Sequence, residues 1–375
     1  MNITFLLGNG FDIGIGMPTR YEDFYKEYCK ITEEDDENIR LFKEMLKNRE
    51  KDEENRIINW ADFEKAFGEH ARDPDIKDKH AYLARFEDFA ETFSAYLEKV
   101  ESNVDYSDRV SIAKTMDTAV KSFYQIRTAD KNRICGIIDQ YGADRVYHFV
   151  TFNYTRTTDN CVDALRQILK ADRTRKVGSV IHIHGLVDRN MIVGVNDESQ
   201  ILNESFSSDP EVLRELMKPQ QNLNSRTAYE ESLISVIDNS HIICTYGMSI
   251  GETDRKWWSK LSGWLLEDPK RILVILVHER KYDPRFPHRQ DRFIRSVREK
   301  FMSFSGLSDA DKKKIEGRIL IDVNNDLFAM NLYHARKQIN IRGAELQNHQ
   351  GEAVTQETIA AAGEWDLELL EISLE

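Results

Sequence analysis

Hydrophobic positions change period twice along this chain. Ile3, Phe5, Leu6 and Leu7 form a short apolar run that predicts a buried strand, closed by Gly8-Asn9-Gly10. From Tyr21 the period becomes helical. Tyr21, Phe24, Tyr25, Tyr28 and Cys29 share one face, and Pro18-Thr19 followed by Glu22 predicts a capping box ahead of them. Helical spacing continues to about residue 143. Leu83, Phe86, Phe89, Ala90, Phe93, Leu97 and Val100 form one stripe, and Val110, Ala113, Met116, Val120, Phe123 and Tyr124 form the next. The charge-rich stretch 33–56 predicts a helix with one solvated face. Trp60, Asp62, Phe63 and Glu64 then read as the start of another amphipathic helix.

Beyond residue 143 strands alternate with amphipathic helices. Residues 145–152, 179–184, 241–246, 271–277 and 318–323 are rich in Val, Ile and aromatics, which predicts a mostly parallel sheet covered by helices on both faces. The expected fold class is α/β and Rossmann-like. Residues 1–32 and 144–330 form its discontinuous sheet domain, 33–143 form a large all-helical insertion after the first strand, and 331–375 form an acidic tail. Past Arg342 the tail has eight Asp and Glu and no Lys or Arg.

Charge and composition narrow the function classes. A net charge of −13 argues against a general grip on nucleic-acid phosphates, so no general nucleic-acid binding is expected. With 41% hydrophobic and 31% charged residues the chain has a globular balance. No apolar run reaches bilayer length and no basic n-region opens the chain, so a cytoplasmic location without membrane contact is expected. Cys29, Cys135, Cys161 and Cys244 are widely spaced, which speaks against a zinc ribbon or a disulfide framework, and no metal is expected.

Ligands on open parallel sheets bind outside the carboxyl ends of the strands, so the chemistry is sought there. Gly8, Asn9, Gly10 and Asp12 follow the first strand, and the glycines would let a phosphate or ribose approach main-chain N–H groups. The dinucleotide fingerprint G-x-G-x-x-G fails at Ile13, and no Gly-Lys-Ser/Thr completes a P-loop. Thr151-Phe152-Asn153-Tyr154-Thr155 follows the second strand, where Asn153 is either a cap for the next helix or a ligand contact. His182 and His184, the latter before Gly185, alternate so as to share a face. Tyr246-Gly247-Met248-Ser249 precedes a helix, with Asp254 near its N-terminus.

These four motifs, in this order, closely resemble the AbiH family of bacterial phage abortive-infection proteins, over most of the chain to about Ala329. That family is in turn similar to a divergent branch of the sirtuin-like NAD-binding superfamily. The resemblance implies a sirtuin-like sheet in which Gly8, Asn9 and Gly10 hold the pyrophosphate of NAD. It also implies that Asn153 contacts the nicotinamide ribose, His184 acts as base, and Gly247 and Ser249 lie at the adenosine side. Asp12, Thr155, Gly185 and Asp254 complete the expected nucleotide contacts. Thr155 stands where sirtuins carry an acid, and the cysteine-rich zinc module is missing, which turns the expectation away from acyl-lysine chemistry.

The expected activity is therefore antiviral cleavage of NAD, as substrate, to nicotinamide and ADP-ribose. Two alternatives stand beside it: an inactive sensor of NAD or ADP-ribose-type nucleotides, and a growth-arrest toxin acting on RNA through Arg342 and His349. A homo-oligomer and a phage-derived trigger or regulatory partner protein are further expectations.

Overall fold

The N-terminal strand β1 (Asn2–Leu7) lies inside a six-stranded sheet with β2 (Arg145–Thr151), β3 (Arg175–His182), β4 (Ile242–Tyr246), β5 (Ile272–Val277) and β6 (Ile319–Val323). The computed structural model describes residues 1–51, 63–76, 78–224, 229–252, 254–278 and 285–334. Trp60, Asp62, Arg342, His349 and the tail from residue 335 lie outside the described residues.

All pairings are parallel and the strand order is β3-β2-β1-β4-β5-β6. This is the order of doubly wound dinucleotide-binding sheets. Crossovers from β1 run to one side and those to β4 run to the other, so the connections part and leave a crevice between these two strand ends. The register aligns the ends. Leu7 pairs with both Thr151 and Tyr246, and Thr151 pairs with His182, so β1, β2, β3 and β4 finish in one row. The segments that leave that row carry the four motifs singled out in the sequence.

Five of the six strands match the apolar runs to within a residue or so at either end. Strand β3 begins at Arg175, four residues before the expected 179 and ends at His182. It is an edge strand whose first half is only partly covered, so its hydrophobic signal is weak there.

Fifteen helices surround the sheet among the described residues: α1 (Gly10–Gly14), α2 (Tyr21–Tyr28), α3 (Glu37–Lys51), α4 (Phe63–His70), α5 (Lys79–Glu101), α6 (Arg109–Ser122), α7 (Thr128–Gln140) and α8 (Thr157–Leu169) precede β3. After it come α9 (Glu204–Ser207), α10 (Pro210–Leu216), α11 (Lys218–Asn224), α12 (Tyr229–Asp238), α13 (Arg255–Glu267), α14 (Pro287–Ser303) and α15 (Asp309–Ile315). Alternation along the strands sorts the core. Phe5, Leu7 and Phe149 face α6, α7 and α8, while Leu6, Val150 and Ile275 face α12, α13 and α14.

The helical stretch 33–143 divides. Ile112, Met116, Val120, Phe123, Ile134 and Ile138 of α6 and α7 and the turn between them cover the sheet itself. Helices α2, α3, α4 and α5 build an aromatic cluster of Phe24, Tyr28, Phe42, Phe67, Phe89 and Phe93, which extends to Tyr154, Val195 and Leu216. Residues Met1–His334 form one compact unit.

Candidate active site

At the crevice the chain makes two unlike walls. The first joins the turns after β1 and β4. Gly8 N donates to Tyr246 O at 2.9 Å and Gly10 N donates to Gly247 O at 2.9 Å. A Cβ at Gly10 would stand 2.3 Å from Gly247 Cα, and one at Gly247 would stand 2.5 Å from Gly10 Cα, with Gly247 at φ +67°. The glycines therefore let two backbones touch. The expectation that their N–H groups await a phosphate is not met for Gly8 and Gly10, because carbonyls of the neighbouring turn already hold both.

Asn9 is spent locally as well. Its Nδ2 donates to Thr19 O at 2.7 Å, and Thr19 Oγ1 donates to Asn9 Oδ1 at 2.6 Å. This latch replaces the expected capping box, since α2 is preceded by Arg20 and makes no side-chain cap.

The second wall is built from Asp12, Asn153 and Thr155. Asp12 is 2% exposed and accepts from Thr155 Oγ1 at 2.8 Å through Oδ2, while its Oδ1 has no partner. Asn153 is 5% exposed and its Nδ2 is also unpartnered. The Asn153 amide lies near enough to favour the charged form of Asp12, although neither Oδ1 nor Nδ2 meets hydrogen-bond geometry. Asn153 is not a helix cap: α8 starts behind Arg156, without a side-chain cap. Burial pushes the Asp12 carboxyl up to about 7, against the pull of Thr155 and then Asn153. Buried polar atoms without a partner cost free energy, and a ligand that pairs them recovers it.

Both walls border one cavity of about 430 Å³, in the size range of small-molecule sites. Gly8, Asn9, Gly10, Asp12, Asn153, Thr155, His184, Gly247, Ser249 and Asp254 all line it. Gly185 does not. At φ +71° it makes a turn against the backbone of Asn190, where a Cβ would meet Asn190 O at 1.8 Å.

A family model described as bacteriophage abortive infection AbiH matches residues 4–275, which span the sheet to β5 and every one of these motifs. The chain belongs to the AbiH family. Its function accordingly lies in abortive infection by bacteriophage. No curated protein matches the chain.

In this AbiH protein the two histidines part company. Strand β3 stops at His182, so alternation no longer governs His184. His182 Nε2 is 2.6 Å from Asp159 Oδ2 of α8. His184 instead borders the cavity, stacked on Tyr154 with ring centres 5.8 Å apart. Its Nδ1 lies 3.2 Å from Phe152 O, which makes Nδ1 the protonated nitrogen and leaves Nε2 facing Lys218 Nζ at 3.5 Å. Protein surrounds the ring although one edge stays open to the cavity. Burial, and then the Lys218 charge, hold His184 well below the usual histidine range. The imidazole is neutral at pH 7, with its bare nitrogen turned toward an ammonium group, a poor setting for the base expected from the resemblance.

Lys218 and Glu64 are the residues that sequence reasoning undervalued. Lys218 Nζ donates to Glu64 Oε2 at 2.7 Å, and the pair is almost fully buried. A bridge between Val195 and Met217 places Lys218, whose N donates to Val195 O at 2.8 Å. Glu64 comes from α4, so the helical insertion contributes a carboxylate to the cavity wall. Glu64 stands in the block at the predicted helix start, but a single lysine before Pro219 carries no motif. Among the described residues no group of three or more His, Cys, Asp or Glu is placed to hold a metal ion, and no helix is long and apolar enough to cross a membrane.

Proposed function

We propose that this AbiH protein acts in abortive infection by hydrolysing the nicotinamide–ribose bond of NAD, releasing nicotinamide and ADP-ribose. One observation carries the reading: the crevice where the strand order reverses, the place where such sheets take dinucleotides, holds a buried amide and a buried carboxyl oxygen that both lack partners. The charges of the cavity suit the substrate. Asp12, Glu22, Glu64 and Asp254 line it with Arg20 and Lys218, so acidic groups face a cationic nicotinamide and Arg20 offers a cation to the pyrophosphate. Nicotinamide leaves as a neutral molecule, so no strong acid is required. Catalysis then consists of tolerating positive charge on the ribose and aiming a water molecule at C1′.

Asn153 fits a hydrogen bond to a ribose hydroxyl or to that water. His184, held between Phe152 O and Lys218, fixes the far wall as a neutral ring. The test is nicotinamide release from NAD by purified protein, with and without lysate of phage-infected cells. Asn153→Ala is expected to lower release by about 10²-fold, the usual cost of losing an aligned contact. Full activity in that variant would sink the reading. The engagement of both His184 nitrogens favours one alternative, a sensor that binds the nucleotide without cleaving it. Tight NAD binding with no turnover under any condition would select the sensor.

A further inference from the structure

Resting on the hydrolase reading, we infer that Asp12, rather than His184, is the catalytic base, its free Oδ1 taking the proton of the attacking water. The inference is one of geometry. His184 has no nitrogen free to accept a proton from the cavity, since Nδ1 is directed at Phe152 O and Nε2 at the Lys218 ammonium. Asp12 borders the cavity and has an oxygen without a protein hydrogen bond: Thr155 occupies only Oδ2, while Oδ1 is buried next to the Asn153 amide, so the attacking water must reach it as the substrate seats. The placement follows from the fold. Asp12 sits in the five-residue helix α1 that the Gly10–Gly247 contact pins at the switch point, and Thr155 reaches it from the segment after β2.

The step balances without a further reactant. The C1′–N1 bond breaks and its electron pair leaves with nicotinamide. The water oxygen bonds C1′, its proton passes to Asp12 Oδ1, and the resulting carboxylic acid returns that proton to solvent. Asn153 Nδ2 donates to the water or the ribose hydroxyl beside it. A carboxyl raised to about 7 by burial is matched to this work near neutral pH, because it is a stronger base than an exposed aspartate yet still ionised in useful amount. The titratable groups facing it are Glu101 of α5, Tyr106 before α6, Cys161 of α8 and His182 of β3.

The test compares wild type, Asp12→Asn, Asp12→Ala and His182→Gln in nicotinamide release across pH. Binding of carba-NAD, whose ribose ring oxygen is a methylene so that the bond cannot break, is measured alongside. The expected result for Asp12→Asn is intact carba-NAD binding with turnover reduced about 10²–10⁴-fold, the usual worth of a general base. Wild-type turnover rises with pH through about 7, this limb persists in His182→Gln, and formate, a small carboxylate, restores turnover to Asp12→Ala. Wild-type turnover in Asp12→Asn, or loss of carba-NAD binding equal to the loss of turnover, overturns the inference while leaving NAD hydrolysis in place. A wild type that binds carba-NAD and never releases nicotinamide overturns the hydrolase reading and this inference with it.

Discussion

The two walls of the crevice are opposites in how they treat polar atoms. On the β1–β4 side the turns are tied to each other: Gly8 and Gly10 donate to the neighbouring turn, and the side chains of Asn9 and Thr19 pair. On the β2 side Asp12 Oδ1 and Asn153 Nδ2 are buried near each other without a protein hydrogen bond. Polar atoms paired within the protein hold a wall together, and buried ones left unpaired are a standing cost, which folds tolerate where a ligand later meets it. In the proposed reaction the chemistry therefore lies not at the glycine motif, the most conspicuous feature of the sequence, but at Asp12 and Asn153 at its edge.

Three substitutions or conditions sharpen or break this contrast. The largest effect is expected at Gly247→Ala, which forces a Cβ onto Gly10 and an L-residue to φ +67°. Overpacking and left-handed strain together cost up to about 5 kcal/mol, read as a lowered denaturation midpoint. A midpoint like that of the wild type would show that the first wall is not rigid.

Next is the pH dependence of stability contributed by Asp12. Its folded pKa is raised from 3.8 to about 7, so the folded state holds the proton more tightly than the unfolded chain. The contribution is fully present below about 4 and is lost as pH rises toward 7, on the order of 4 kcal/mol across that window. Urea titrations of wild type and Asp12→Asn should therefore diverge, the wild type losing stability relative to the variant as pH rises. Parallel curves would mean that Asp12 is not held in a costly site.

The smallest effect is expected at Asn153→Ala. It removes a buried donor that misses hydrogen-bond geometry and acts on Asp12 only through its proximity, so stability near pH 7 should fall by no more than about 1 kcal/mol even as activity falls. A clear loss of stability would reveal a structural hydrogen bond and make the second wall resemble the first.

Much of the fold is legible in the sequence because strands β1, β2, β4, β5 and β6 are buried apolar runs, and their period differs from that of the helices between them. What helical period leaves open is which layer a stripe covers. The stripe of α6 goes to the sheet beside Phe5 and Phe149, while that of α5 goes to the aromatic cluster around Phe24 and Phe67. The capping box is absent for a related reason. Thr19 has the residue type of a cap, but Asn9, ten positions earlier, competes for its hydroxyl and wins.

The motif residues Asn153, His184, Asp12 and Gly247 could be chosen from sequence because each follows an apolar run or a glycine turn, where parallel sheets present ligands. Their roles could not. The register that sets Leu7 beside Thr151 and Tyr246 brings them to one cavity, and only there does Lys218 claim the open nitrogen of His184 while Asp12 keeps an oxygen free. Local order along the chain determines what a segment can become. Which polar atom ends up with a partner depends on neighbours far away in the chain, such as Thr155 for Asp12 and Lys218 for Glu64, and only tertiary packing supplies those neighbours.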